Sequence, residues 1–458
     1  MYLFKISILS LLFALPLAML GQTSLSESTH HTESTTSFVL QKRHLKKYES
    51  NGWWKLWMDG GIIRTRDRQN HRKRTGRHYM VIDHGISSLV NMDFVDGYMF
   101  GPQFMLGYVN AYDGRWEVDA DIKYAEGREK WMYRTALRYV LPPEYFGSVE
   151  VFGQSFTTDF DADPLMPRRY QLLASGVFGW NGFKLYGNSS VGVRGNVALS
   201  GDFQLSAGVW YEEREQLDNH KKRNVFRAEG ESNVPRLRRH DAVNYAGDPL
   251  LDWKNDYLTR IQLQLDYSPG RKIVVEDDMH ASARVPGPTL SLKGDAGVDG
   301  KDLHFLSLEL GIAQKEVAVV DRHNWLSYYG AMGFFPVRNQ VNIADMKHFD
   351  ASHYLWQTRN SLTWFSLLAN YEQSTTKQWA EAHGEWLSEQ MFLSRLASSW
   401  LKEYLQFHFL TVQEHRYHTE FSYGIDLVKQ IRMGVSVGFD GVDYDGIGFN
   451  LIWDITKK

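Results

Sequence analysis

The chain has 458 residues, a formal charge of −3 and no cysteine. The near-neutral charge argues against a nucleic-acid partner, which would require a basic excess. Without thiols there are no disulfides, no thiolate metal sites and no lipid-modified amino-terminal Cys.

In chain order, Lys5 precedes an apolar run from Ile6 to Leu20, followed by Gly21 and Gln22. This reads as a signal peptide over residues 1–22, cleaved between Ala18 and Gln22. The run is shorter than the ~20 residues of a bilayer-spanning helix, and no later segment reaches the ~18 consecutive apolar residues such a helix needs. Residues 23–84 read as a polar and basic leader, partly disordered or periplasmic. Thr23 to Ser37 is a solvated tether. Arg64, Arg66, Arg68, Arg72, Lys73, Arg74 and Arg77, with His71 and His78, form a basic run whose alternative to plain solvation is contact with lipid phosphates.

From residue 85 onward the dominant signal is two-residue alternation in segments of about nine to eleven residues, the length of a tilted strand that crosses an outer membrane. Candidate strands include Phe104 to Val109, Glu117 to Tyr124, Met132 to Val140, Gly147 to Phe156 and Phe183 to Val197. Phe203 to Tyr211 sets Phe203, Leu205, Ala207, Val209 and Tyr211 against Gln204, Ser206 and Gly208. The charged stretch Glu212 to Asp256, with Pro235 and Pro249, then reads as a long extracellular loop. Ile261, Leu263, Leu265 and Tyr267 oppose Gln262, Gln264 and Asp266, and Leu306, Leu308, Leu310 and Ile312 oppose Ser307, Glu309 and Gly311. Later candidates are Tyr404 to Val412 and the closing run Gly446 to Trp453.

A soluble sandwich alternates as well. Glycines on the wet face (Gly208, Gly311, Gly438), strands bounded by aromatics and strands longer than the usual five or six residues favour the barrel. Aromatic residues make up 14% of the chain, with 15 Trp and 24 Tyr, which suits the girdles where a barrel meets lipid headgroups. The expected fold is therefore all-β: an antiparallel transmembrane β-barrel of roughly 12–16 strands over residues 85–458. Leu263, Leu265, Leu308 and Phe407 would face lipid. Gln262, Gln264, Glu309, His408 and His383 would face the lumen.

Glu381, His383 and Glu385 share one strand face, with Ala380, Ala382, Gly384 and Trp386 on the other. Three ionisable groups in a lumen read as a polar network, with a proton or metal site as the alternative. Gly434-Val435-Ser436-Val437-Gly438 matches the Gly-x-Ser-x-Gly pattern of a hydrolase, yet it lies in the alternating run Ile431 to Phe439 with no helix after it, so it reads as strand. His383-Gly384-Glu385 resembles half of a zinc-deaminase motif whose Cys pair cannot exist here. No catalytic, cofactor-binding or metal residue is assigned.

Several stretches resemble an outer-membrane β-barrel family of unknown function from Bacteroidetes: Asn91 to Gly101, Asn181 to Tyr186, Gly208 to Asn219, Asp266 to Ile273 and Asn370 to Phe392. They occur in the family's order. Longer members carry an amino-terminal carboxypeptidase-regulatory-like domain, which finds no counterpart here, and Trp386-Leu387 stands where the family is richer in His. The resemblance implies a membrane location and no known chemistry. Val193-Arg194-Gly195 resembles the start of a loop signature in barrels that assemble or secrete other outer-membrane proteins, but here it falls inside a strand-like run.

The expected role is thus that of a non-enzymatic outer-membrane barrel: a channel, transporter component or accessory factor in outer-membrane traffic. The alternatives are a surface-interaction barrel acting through loop 212–256 and a membrane-embedded hydrolase using Ser436 with His383 or His408. Expected partners are outer-membrane lipid and other envelope proteins, with no cofactor and no nucleic acid.

Overall fold

The computed structural model describes residues 61–64, 77–82 and 89–453, apart from 111–113, 143–144, 162–173, 182, 223, 225, 227–228, 236, 238–254, 278–279, 286, 319–322, 352–355, 358–361, 396–400, 414–416 and 428–430. The expected signal peptide, the tether and residues 65–76 of the basic run lie outside the described residues.

The strands are β1 (Gly61–Arg64), β2 (Arg77–Ile82), β3 (Val90–Asp93), β4 (Gly97–Phe100), β5 (Gln103–Val109), β6 (Arg115–Ala125), β7 (Lys130–Val140), β8 (Gly147–Asp159), β9 (Leu185–Ala198), β10 (Phe203–Gln216) and β11 (Asn255–Tyr267). After them come β12 (Lys272–Asp277), β13 (His280–Arg284), β14 (Thr289–Asp299), β15 (Asp302–Ala318), β16 (Asn324–Arg338), β17 (Trp356–Gln357), β18 (Gln378–Ser388), β19 (Leu401–Val412), β20 (His418–Leu427), β21 (Ile431–Asp440) and β22 (Asp443–Trp453). Twenty of them form one sheet, and β12 with β13 makes a separate hairpin.

The architecture is all-β and antiparallel, as the alternation predicts. From β5 each strand pairs with the next long strand in the chain as far as β11; β14, β15, β16 and β18 continue the order, which ends at β22. Among the described residues no ladder joins β1 to β22, so the barrel-type sheet is not closed into a ring. Instead, β17 pairs in parallel with β22, setting Trp356 against Leu451 and Gln357 against Ile452.

The sheet departs from the sequence reading in three ways. It begins at Gly61 rather than near residue 85, because β1 and β2 pair with each other and β2 pairs with β5. Four strands, β1, β3, β4 and β17, have four residues or fewer and are too short for alternation to register; the other sixteen fall within the expected range. The stretch expected to be a loop from Glu212 is still strand to Gln216, and β11 starts at Asn255, so the connection is 217–254. A run dense in Glu and Arg looks like a loop, but here alternate charges point inward.

The register makes the molecule apolar outside and polar inside. Where β10 meets β11, Val209 lies opposite Ile261 and Ala207 opposite Leu263 on the outer face, with Gly208 opposite Gln262 on the inner. Leu263, Leu292 and Leu310 on successive long strands are each 53% exposed, while Gln262, Asp295, Glu212 and Arg214 between them are buried. The exposed apolar face continues through Val149, Val151, Val191, Met332, Phe334, Trp386, Phe421 and Phe449. Soluble monomers rarely expose apolar side chains on strand after strand in this way.

The three longest connections, 160–184, 217–254 and 339–377, leave the same end of the sheet as the β6–β7 turn. They meet there: Phe160, Leu237, Ile343, Ala344 and Tyr371 share one apolar cluster with Tyr186 of β9. The tip of the β3–β4 hairpin joins this end through Phe94 O, which accepts from Lys221 N at 2.9 Å.

Candidate functional site: a segment anchored in the polar interior

The connection 339–377 turns inward after β16. Asn342 caps a single 3-10 turn, Ile343–Asp345, its side chain accepting from Ala344 N while Asp345 reaches back to Asn342 N. This box holds the Asp345 carboxylate toward β10. There Arg214, wholly buried, donates from Nη1 to Asp345 Oδ2 at 2.8 Å and from Nη2 to Asp345 Oδ1 at 2.7 Å. Glu212 also accepts from Arg214, and Asp256 Oδ2 lies 3.4 Å from Nη1. A bidentate guanidinium–carboxylate pair is the strong form of this contact, and burial makes it depend on both partners.

Two residues on, Lys347 reaches across the interior to Glu309 Oε2 at 2.8 Å on β15 and to Glu381 Oε1 at 3.3 Å on β18. Burial alone would lower the Lys347 ammonium, but Glu309 and Glu381 outweigh it and hold it well above its ordinary range. His348 lies between Ser374 Oγ at 2.7 Å and Ile343 O at 2.9 Å, and burial pushes its imidazole down to about 4. Tyr371 donates to Asp159 at the end of β8, and burial with that carboxylate raises the phenol well above its usual range.

Phe365, wholly buried, stands among three imidazoles. Its ring centroid is 5.0 Å from His383, 5.7 Å from His408 and 5.9 Å from His418. Beside it Ser366 N, Ser366 Oγ and Leu367 N all donate to Glu420 at 2.8, 2.9 and 3.0 Å. Leu367 fits over two glycines of neighbouring strands: a Cβ on Gly438 or on Gly448 would stand 2.6 Å from it. Trp379 likewise lies across Gly333, where a Cβ would meet its ring at 2.2 Å.

The seven residues expected in the lumen all project to the inner side. Glu381, His383 and His408 form one string: His383 Nε2 is 3.2 Å from Glu381, and His383 Nδ1 is 2.9 Å from His408 Nδ1. Glu309 joins them through Lys347. Glu385 belongs to a different cluster, accepting from Arg432 Nη1 at 2.6 Å and Gln406 at 2.8 Å. Gln262 lies 3.5 Å from Asp295, and Gln264 donates to Asp266 at 3.0 Å. Ser436 exchanges a hydrogen bond with Ser422 at 2.7 Å and accepts from Asn450 at 3.1 Å, in mid-strand, rather than joining His383 or His408. Arg194 also lies in mid-strand, on β9, and donates to Glu150 at 2.7 Å. Among the described residues no group of three or more His, Asp and Glu is arranged to hold a metal ion.

Sequence reasoning missed Arg214, Asp345, Lys347, Phe365 and Glu420. Arg214 had a readable signal, since Glu212 and Arg214 continue the inner-face period of β10. The Asn342–Asp345 capping box was the other.

Residues 63–425 match the C-terminal domain of a family of unknown function (DUF5686). No curated protein matches the chain. Among solved structures the chain is similar to BamA from Haemophilus ducreyi lacking POTRA domains 1–3, at 8% identity and TM-score 0.41, covering 86% of this chain and 75% of that one. It is also similar to CdiB from Acinetobacter baumannii (10%, TM-score 0.35, 86% and 64%) and to the CymD monoaromatic hydrocarbon channel (9%, TM-score 0.23, 76% and 85%).

Proposed function

The chain belongs to the DUF5686 family through its C-terminal domain, and from that premise we propose that it is an outer-membrane β-barrel held shut by its own segment 339–377. In this reading it serves as a gated channel, a transporter component or an accessory factor in outer-membrane traffic. Lipid is its immediate partner, and the apolar run Ile6 to Leu20 is its export signal.

The polarity of the two faces supports the membrane. Water would leave dozens of outward Leu, Ile, Val and aromatic side chains unburied, whereas hydrocarbon satisfies them, and from β5 to β22 the long strands pair with a neighbour on the sheet. On the outer face Trp116 pairs with Tyr139 at 4.7 Å, and Tyr124 pairs with Trp131 at 5.3 Å. These pairs lie eight residues apart on β6, roughly 26 Å along the strand and ~20 Å along the membrane normal after tilt, near the height of a barrel's apolar band.

The observation that carries the gated reading is the anchoring of one segment at three places: Asp345 on Arg214, Lys347 between Glu309 and Glu381, and Ser366–Leu367 on Glu420. A lumen built only for passage would leave these wall charges to water. The test is single-channel conductance of the purified, refolded chain in a planar bilayer, beside a variant with residues 343–376 replaced by a Gly/Ser linker. Silence from the intact chain and stable steps from the variant are expected. Equal conductance would overturn the reading, and silence from both, with insertion established, would favour a surface-acting barrel using the loop predicted at 212–256.

A further inference from the structure

We propose that the imidazoles around Phe365 form a proton-operated latch that holds segment 339–377 in place at neutral pH and releases it on acidification. The proposal rests on the reading of that segment as a plug. His383 and His408 lie directly opposite each other on β18 and β19, and His408 lies opposite Glu420 on β20.

The 2.9 Å contact between His383 Nδ1 and His408 Nδ1 sets a limit on protons. A nitrogen-to-nitrogen hydrogen bond requires one ring to offer a lone pair, so the two rings together hold one extra proton at most. A second sets N–H against N–H in a site closed to water. The surrounding charges are already committed. Glu381 faces His383 with one oxygen and Lys347 with the other, and Lys347 also engages Glu309. Glu420 accepts from His418 Nε2 at 3.0 Å as well as from Ser366 and Leu367. Asp445 of β22 stands 3.9 Å from His418 Nδ1, and the ring of Tyr329 of β16 lies tilted 5.9 Å from His383. Glu385, on the strand of His383, is held by Arg432 and Gln406, and Asp350 O of the segment accepts from Phe365 N.

A proton on both rings is therefore held only once the rings part and water reaches them, and acidification favours that parted state. A charged, unpaired imidazole draws water, and the side chain that water must displace is Phe365, the wedge between the rings. Losing Phe365 takes Ser366 and Leu367 off Glu420, the anchor furthest along the segment from Asp345. His348 of the segment also favours release below about 6.5, because its packed value is about 4, so every chain compared below also carries His348→Gln.

The experiment records conductance of the full chain at pH about 7.5 and about 5.5, one unit on either side of an imidazole open to water. The intact chain should raise its open probability at least about tenfold on acidification. The His383→Gln/His408→Gln variant keeps neutral hydrogen-bonding groups and should stay closed at both values. Phe365→Ala, which removes the wedge and leaves the rings, should open already at the higher value. An intact chain that stays closed at the lower value while the linker variant conducts would overturn the latch and leave the plug standing. Equal acid opening of the intact chain and the His double variant would also overturn it. A linker variant silent at both values would instead bring down the plug reading beneath it.

Discussion

Arg214 shows what a single side chain does in this interior. It lies under the 3-10 turn with three carboxylates around it, and its removal leaves Asp345 and Glu212 charged and buried. Breaking a buried pair from one side costs about 3–5 kcal/mol, whereas replacing both partners by apolar groups is often neutral. Arg214→Met should therefore raise the rate of limited proteolysis within 339–377 well beyond that of Arg214→Met/Asp345→Leu; equal rates would mean the pair is not the anchor. His348 gives a pH dependence. Its folded value of about 4 lies below the ordinary 6.5, so between these limits the released state binds the extra proton and the packed state does not. Protection of the segment is then complete above about 6.5 and falls as the pH drops toward 4, and His348→Gln should flatten the protease-protection curve over that lower range. Glu381, His383 and Glu385 were legible as one face because strand geometry fixes it two residues at a time. Their partners Lys347 and Phe365 lie on a connection with no period, so nothing local links them to that face.

At the scale of the strand, alternation carries most of the information because one face meets an apolar surround and the other a polar interior. The register turns this into a test of sides. Leu310→Arg puts a charge on the apolar face and should cost about 2–4 kcal/mol near the midplane, while Gln264→Arg adds a charge beside Asp266 on the inner face and should cost little. A heat-modifiability gel should show a clear loss of the folded band for the first and little for the second; equal folding would refute the assignment of faces. Period two failed where strands were too short, as in β1 and β17, and where an inner face is fully charged, as at the end of β10. It also left no trace of how a large ring uses a small neighbour. Trp379 and Gly333 are each plain in the sequence, but their meeting depends on the register of β16 with β18.

For the whole molecule the question is whether segment 339–377 is part of the framework or its contents. The ladders from β5 to β22 run strand to strand, and among the described strands only β22 takes a ladder from the segment, at Leu451 and Ile452. Two buried apolar clusters, around Tyr79 with Met105 and around Met99 with Met132, draw nothing from it. Others do depend on it: Phe349, Ala351, Phe365 and Leu368 pack with Phe305, Phe335 and Trp379, and Trp364 packs on Ile452. Removing residues 343–376 therefore withdraws apolar packing, ion pairs and the short β17–β22 ladder while leaving the ladders from β5 to β22 in place, and Glu309, Glu381, Glu420 and Arg214 would then face water that can solvate them. The linker variant should keep its far-ultraviolet β signal and its heat-modifiable band in lipid or detergent, with the band lost at a lower temperature than in the intact chain. Loss of the band at every temperature would mean that the sheet assembles around the segment, making it a core on which the strands depend rather than a plug that can leave them.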